Sequence, residues 1–483
     1  MRYLLLLCFL PLGLMAQQYN EKKLNNLKEK SQAQIEQDFS GYGEMAQQIW
    51  DYAEVGYQEY KSSELLQDKL KAAGFSVEAG VADIPTAFVA TYGSGKPVLG
   101  ILAEFDALPG LSQQATPEPL QDESRTSGHG CGHNLFGVGS VAAAVAVKEQ
   151  LAAGNFKGTV KVYGTPAEEG GSGKVYMVRA GLFDDVDVVL HWHPGNGNSA
   201  NASSSLANTT AKFRFHGISA HAAGSPEAGR SALDGVEAMN DMANMMREHV
   251  PMETRIHYII TAGGDAPNVV PNFAEVYYYV RHPEPSEVKR IFERLVKTAE
   301  GAAMGTETEM KYEVMSGVYN LLPVEVLAKK MYDNLKMVGG VTYTEEELAF
   351  AKTLQTSFNS AKIPDPKDAE KIQEFNVERY RRGGGSTDVG DVSWAVPTVG
   401  LRTATYVPGT PSHSWQAVAC AGNSIGKKGM LVAAKTLTGM ALDLLNDGQL
   451  IKDARAEWLK FRGEDFKYEP LLGDRAPALD YRN

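Results

Sequence analysis

Residues 98–103 form a continuously apolar run that ends in Glu104-Phe105-Asp106-Ala107-Leu108-Pro109. A run of that length with a polar loop behind it predicts a strand buried on both faces. The form recurs at 159–163 and 186–190, and late in the chain at 397–402. Between the first two of these strands, residues 142–151 are rich in Ala and Val and read as a helix. Strand and helix therefore alternate, as in an α/β fold with a doubly wound, mainly parallel sheet. The first three strands end in polar clusters, at Asp106, at Glu168-Glu169 and at His191-Trp192-His193. Ligands of such sheets bind beyond the carboxyl ends of the strands, so three clusters arriving there mark a site.

The middle of the chain has a different pattern. Residues 211–215 alternate apolar and charged positions with period two, as a half-exposed antiparallel strand does. A helix follows, with Ala232, Val236, Met239, Ala243 and Met246 on one face, a Met-containing stripe that reads as packing. Strand-like runs at 255–262 and 275–281, a helix over 286–300 and a strand near 308–315 complete the order β-α-β-β-α-β. That order is the ferredoxin-like unit, which predicts an inserted α+β domain at 206–318. Residues 340–385 are polar, charged and Pro-containing, with a Gly383-Gly384-Gly385 run, and read as a solvated excursion or lid. An apolar helix is expected over 429–445. The catalytic domain is thus read as two segments, 17–205 and 319–447, followed by a C-terminal extension at 448–483.

Residues 1–16 place Arg2 before an apolar stretch that ends at Ala16, the pattern of a secretory signal peptide with an imperfect Leu14. The expectation is an exported protein, periplasmic or secreted, with no membrane span later in the chain. Composition is that of an ordinary globular chain of 483 residues, 43% hydrophobic and 22% charged. Its formal net charge of −12 argues against a nucleic-acid or anionic-membrane partner, and requires a local basic pocket for any carboxylate substrate.

Three cysteines are present, Cys8 within the expected signal, then Cys131 and Cys420. The latter two could pair in an exported protein. Against this, Cys131 sits in Gly128-His129-Gly130-Cys131-Gly132-His133, where a metal accounts for thiol and imidazole together. In an extended loop, Cys131 and His133 point to one side. Of the neighbouring carboxylates Glu168 and Glu169, one can ligate while the other serves as general base. His191 and His193 are read as lying on opposite faces of a strand end, so that only one meets the cluster. His413 supplies a further donor from far along the chain. Thiolate, imidazole and carboxylate together suit Zn or a neighbouring divalent ion such as Mn, Co or Ni.

In this order, the motifs resemble those of the M20 metallopeptidase family, in its amidohydrolase branch with the aminobenzoyl-glutamate and auxin-conjugate hydrolases. The resemblance spans about residues 47–445. It rests on Ala103 to Pro109, Gly128 to Asn134, Pro166 to Gly171, Ser219-Ala220-His221-Ala222-Ala223, Pro267-Asn268-Val269-Val270-Pro271, Ser386 to Trp394 and Gly409 to Trp415. The second and sixth of these look nearest to the B-type subunits of aminobenzoyl-glutamate hydrolase.

The resemblance implies two divalent metals, Mn or Zn before Co or Ni, on Cys131, His133, Glu169, His193 and His413. Glu168 becomes the general base, and Asp106 the carboxylate that orients a ligand. His221 is implied to steady the oxyanion across a dimer, with Asn268 and Arg281 near the substrate carboxylate. The expected assembly is a homodimer or a heteromer with an A-type subunit. The expected substrate is a small amide or dipeptide with a free carboxylate. One departure is Glu104, where many relatives carry aspartate. The competing expectation is a binding module that captures small carboxylates without turnover. Zinc-dependent deamination would need a His-x-Glu and Pro-Cys-x-x-Cys pattern that the chain lacks.

Overall fold

The apolar run at 98–103 forms the strand Val98–Ala103, fully buried between neighbours on both sides. In the computed structural model, which describes residues 18–482, it belongs to a six-stranded sheet. The order across that sheet is Ser76–Ala79, Phe88–Ser94, Gly158–Gly164, Val98–Ala103, Val188–Gly195, Thr398–Ala404. The last four strands are parallel, and the first two run antiparallel at one edge. The signal peptide expected over residues 1–16 lies outside the described residues.

The helix expected at 142–151 begins earlier and runs His133–Ala152. It packs on the sheet beside Ser424–Asn446, and the Trp192 indole donates to the Phe136 carbonyl at 3.1 Å. The N-terminal half of this helix is buried on every face because sheet and helices surround it, so periodicity could not reveal its start. Among the described residues it is also long and apolar enough to cross a membrane, which the sequence reading did not anticipate. Here that apolar surface is spent on the core, in which the helix is mostly buried.

The second sheet is antiparallel, ordered Arg255–Ala262, Phe273–His282, Ala207–His216, Glu309–Val318. Helices Ala232–Met246 and Pro285–Thr306 pack against it, and the sequence order is β-α-β-β-α-β. Phe213, Phe215, Val276 and Tyr278 face those helices and form a core separate from the first. On the uncovered face Arg214 bridges Glu275 at 2.7 Å and Glu313 at 2.9 Å. One covered face and one open face account for the period-two alternation in these strands.

Residues 340–385 correct the expectation of a solvated excursion. Thr344 and Glu347 close a capping box at the start of helix Glu345–Gln355, and Ala351, Leu354 and Ala369 are buried in the main core. Val377–Glu378 pairs in parallel with Ala202–Ser203. The segment is polar because one helix face and the loops meet water, while its few apolar residues are the ones that pack. Beyond 447, helix Gly448–Arg462 buries Trp458, and its indole donates to the Ser393 carbonyl at 2.7 Å.

Candidate metal centre

Cys131 lies in a tight turn instead of an extended loop. Gly132, at φ 72°, bends the chain so that His133 becomes the first residue of the His133–Ala152 helix. A side chain at Gly132 would meet the Tyr406 hydroxyl and Pro194, so the bend requires glycine. His129, in the same motif, points away: its Nε2 meets the Ile49 carbonyl at 3.0 Å, and burial pushes its pKa down to about 3.

Potential ligand atoms converge in three overlapping groups, each within 4.8 Å: Cys131, His133 and His193; Cys131, Glu169 and His413; His133, Glu168 and Glu169. All five expected ligands and the expected base are therefore in one cluster. Cys131 Sγ lies 3.5 Å from His193 Nε2, and His413 Nε2 lies 3.3 Å from Glu169 Oε1. Asp106 touches two of the donors, with Oδ1 at 2.9 Å from His133 Nδ1 and Oδ2 accepting from the Glu169 amide at 2.9 Å.

His191 and His193 share a face, which corrects the sequence reading. Residues two apart in a strand project to the same side. Trp192, between them, turns to the helix side and bonds Phe136. The two histidines differ in depth: the His191 ring covers Gly400, where any side chain would collide with it, while His193 reaches the cluster. Burial and the nearby charge of Lys174 push the His191 pKa down to about 3, which keeps it neutral.

The donor set fits a cation. With Nδ1 of His133 on a carboxylate and Nδ1 of His193 on the Pro194 carbonyl at 2.7 Å, each ring's Nε2 is left to face the cluster. His133 Nε2 and Glu169 Oε1 are buried and make no aligned hydrogen bond, although Glu104 Oε2 and His413 Nε2 lie close to them. Burial pushes the Cys131 thiol up against the pull of His133, so a thiolate there needs a positive charge beside it. Burial opposes charge on His133 too, yet Cys131, Asp106 and Glu104 outweigh it and hold the imidazole well above its ordinary range. Burial and the charge of Glu169 hold the Glu168 carboxyl well above the usual carboxylate range.

Below the cluster, Lys174 is fully buried between Asp388 Oδ1 at 2.7 Å and Glu104 Oε1 at 2.8 Å. Glu104 Oε2 faces His133 Nε2 at 3.1 Å. Sequence reasoning left Lys174 and Asp388 without a role. The available signal was a lysine within the otherwise apolar run Val175-Tyr176-Met177-Val178 that follows it.

His221, Asn268 and Arg281 are not in the cluster. His221 is exposed, and its Nδ1 accepts from the amides of Ala223 at 3.2 Å and Gly224 at 3.0 Å. The Asn268 carbonyl accepts from the Ala222 amide at 3.0 Å, so His221 and Asn268 belong to one pair of facing loops. Arg281 lies on the strand Phe273–His282, with a buried Nε that has no partner. Cys131 and Cys420 are both free thiols, and the alternative of a disulfide between them is not realised.

Thiol, imidazole and carboxylate donors are thus gathered beyond the strand ends of a mainly parallel sheet. The model of peptidase family M20/M25/M40 matches residues 100–417, and the chain belongs to that family, as a hydrolase acting on amide bonds. It is 43% identical over 446 residues to the B-type subunit of p-aminobenzoyl-glutamate hydrolase from Escherichia coli (strain K12), covering 88% of this chain and 93% of that one. It is 28% identical over 452 residues to the Xaa-Arg dipeptidase of Mus musculus, covering 90% and 93%. Among solved structures, an aminobenzoyl-glutamate utilization protein from Klebsiella pneumoniae shares the fold with a TM-score of 0.60 at 19% identity, over 86% of this chain and 98% of that one.

Proposed function

We propose that the protein hydrolyses the amide bond of N-acyl or aminobenzoyl amino acids or small peptides that carry a free carboxylate, with Glu168 as general base. The observation that carries this reading is the convergence of Cys131, His133, Glu169, His193 and His413 around Glu168. Two divalent ions on those five residues, Mn or Zn before Co or Ni, would acidify the attacking water toward a pKa of about 7 and polarise the amide carbonyl.

Glu168 accepts the proton of that water on a carboxylate oxygen and delivers it to the leaving nitrogen, a role that contributes about 10²-fold or more. Burial and Glu169 raise the proton affinity of this carboxylate, and the positive charge of ions held beside it would keep it ionised until it takes the proton. Asp106 orients His133 through Nδ1 and Glu169 through its amide, so one carboxylate aligns two ligands. His221, with Nδ1 accepting from two amides, has its Nε2 proton free to donate to an oxyanion. Since His221 belongs to the second sheet's loops and stands apart from its own cluster, we assign it to the site of a partner subunit. Residues 206–318 would then act as lid and dimerisation domain, with Asn268 and Arg281 toward the substrate carboxylate.

The 43% identity to the B-type protein of Escherichia coli supports p-aminobenzoyl-glutamate as the first substrate to try, and an A-type partner as the alternative to a second copy of this chain. The test is amine release by metal-reconstituted protein from p-aminobenzoyl-glutamate, N-acyl amino acids and dipeptides. Release from at least one class supports the reading. Binding of these carboxylates with no release from any of them would replace it with a non-catalytic binding module.

A further inference from the structure

The turn that carries Glu168 and Glu169 follows an unfavourable backbone path. Ala167 at φ 57° and Ser172 at φ 61° both occupy the left-handed region that L side chains avoid. Such a turn keeps its shape only where its surroundings over-determine it. Several groups do this from the catalytic layers. Glu59 accepts from the Ala167 amide at 2.9 Å, Asp106 accepts from the Glu169 amide at 2.9 Å, and the Tyr57 hydroxyl donates to the Gly171 carbonyl at 2.7 Å.

The Glu169 carbonyl is held from far along the chain. The Tyr481 hydroxyl donates to it at 3.0 Å, and the Arg482 guanidinium donates to it as well. Tyr481 sits edge-on against Tyr57, with ring centroids 5.5 Å apart, in a space over Gly56 that even a methyl group would take from its hydroxyl. This seat is built for that side chain, and burial keeps the phenol a neutral donor.

Residues 463–482 reach the turn by crossing from the second sheet. Arg475 donates to the Val314 carbonyl and to Glu313 Oε1, both on the strand Glu309–Val318. Arg179 then donates to the carbonyls of Gly473 at 3.1 Å and Arg475 at 2.9 Å, and Gln58 donates to the Leu479 carbonyl at 2.8 Å.

We propose that Tyr481 and Arg482 are positioning residues of the active site. They fix the Glu169 carbonyl and so the aim of the Glu168 and Glu169 carboxylates, and the segment behind them ties that turn to the second sheet. The strap is read from its contacts alone, while the meaning of the two carboxylates rests on the function proposed above.

The test uses the full chain with Tyr481→Phe, Arg482→Ala and both together. Hydrogen exchange of peptides covering residues 166–172, zinc affinity by competition with a chelator, kcat, KM and melting temperature are measured on each. The expected result is faster exchange at 166–172, weaker zinc retention and a kcat lower by about tenfold in the double variant, with KM little changed, as a small misplacement of reacting groups produces. Melting temperature should move by no more than about 2 °C, and Arg482→Lys, which restores a donor, should recover part of the loss. Unchanged exchange and kcat in the double variant would overturn the proposal. So would exchange that rises equally across the whole chain with a falling melting temperature, since that pattern marks a general structural role. If the unmodified protein hydrolyses nothing, the functional reading fails, and the exchange and zinc measurements still decide the strap.

Discussion

The Lys174 ammonium lies 2.8 Å from Glu104 Oε1 with both side chains buried, and it is shared with Asp388 at 2.7 Å. One buried cation thus stands between two buried carboxylates under the donor cluster. Removing one partner of such a set leaves the others uncompensated, which costs about 3–5 kcal/mol. Lys174→Met should therefore lower unfolding free energy by that order, read by urea denaturation. A loss below about 1 kcal/mol would mean that Glu104 and Asp388 find other compensation.

Glu168→Gln should retain metal while turnover falls by about 10² or more, because the amide has the same shape but accepts no proton. Glu169→Gln should instead lose metal, since Glu169 contributes to two of the three donor groups. Metal analysis beside the rate measurement separates the two. The reverse pattern would show that the two carboxylates have exchanged roles.

Asp391 gives a pH signature from a buried carboxyl outside the donor cluster. Burial pushes its carboxyl up to about 7, against the Tyr468 hydroxyl and the Tyr319 amide that hydrogen-bond it. Its unfolded value is near 3.9, so between pH of about 4 and 7 the folded chain holds a proton that the unfolded chain releases. The contribution of this group is then complete below pH of about 4 and declines as pH rises through 7. Asp391→Asn has no such charge to form. Its stability relative to the unmodified protein should rise between pH 4.5 and pH 8, compared by urea denaturation. A gap that stays constant would contradict the assignment.

Much of this was legible from pattern and motif. The buried strand Val98–Ala103 was readable because continuous apolar runs with polar ends have few other outcomes, and the second sheet because one open face imposes period two. Helix His133–Ala152 was only half visible, since burial on every side erases periodicity. The ordered part of 340–385 was missed because a handful of residues such as Leu354 and Ala369 anchor an otherwise polar stretch. At the site, Cys131 with His133 and the Glu168-Glu169 pair stood out by type and spacing, while the full donor set with His193 and His413 came from the family resemblance. The charge network of Glu104, Lys174 and Asp388 did not stand out, because partners up to 284 positions apart leave no pattern beyond a lone lysine at the head of an apolar run. Tyr481 and Arg482 act through a backbone carbonyl, which any residue type could supply.

His221→Ala should leave metal content unchanged and depress kcat by roughly 10²-fold if its Nε2 donates to the oxyanion. If the histidine serves the partner's site, mixing His221→Ala with Glu168→Gln protein should restore activity to the one site of each mixed dimer that has both groups. Absence of recovery after demonstrated subunit exchange would assign His221 to its own chain or to structure.

The dependence of amide hydrolysis on the Cys131, His133, Glu169, His193 and His413 centre is tested most directly by stripping and restoring the metal. Protein treated with a strong chelator should lose amine release, and added Mn or Zn should restore it as metal content approaches about two ions per chain. Cys131→Ala protein should fail both to bind the full complement and to recover activity. Amine release that persists in fully stripped protein, or full recovery by Cys131→Ala, would contradict the account.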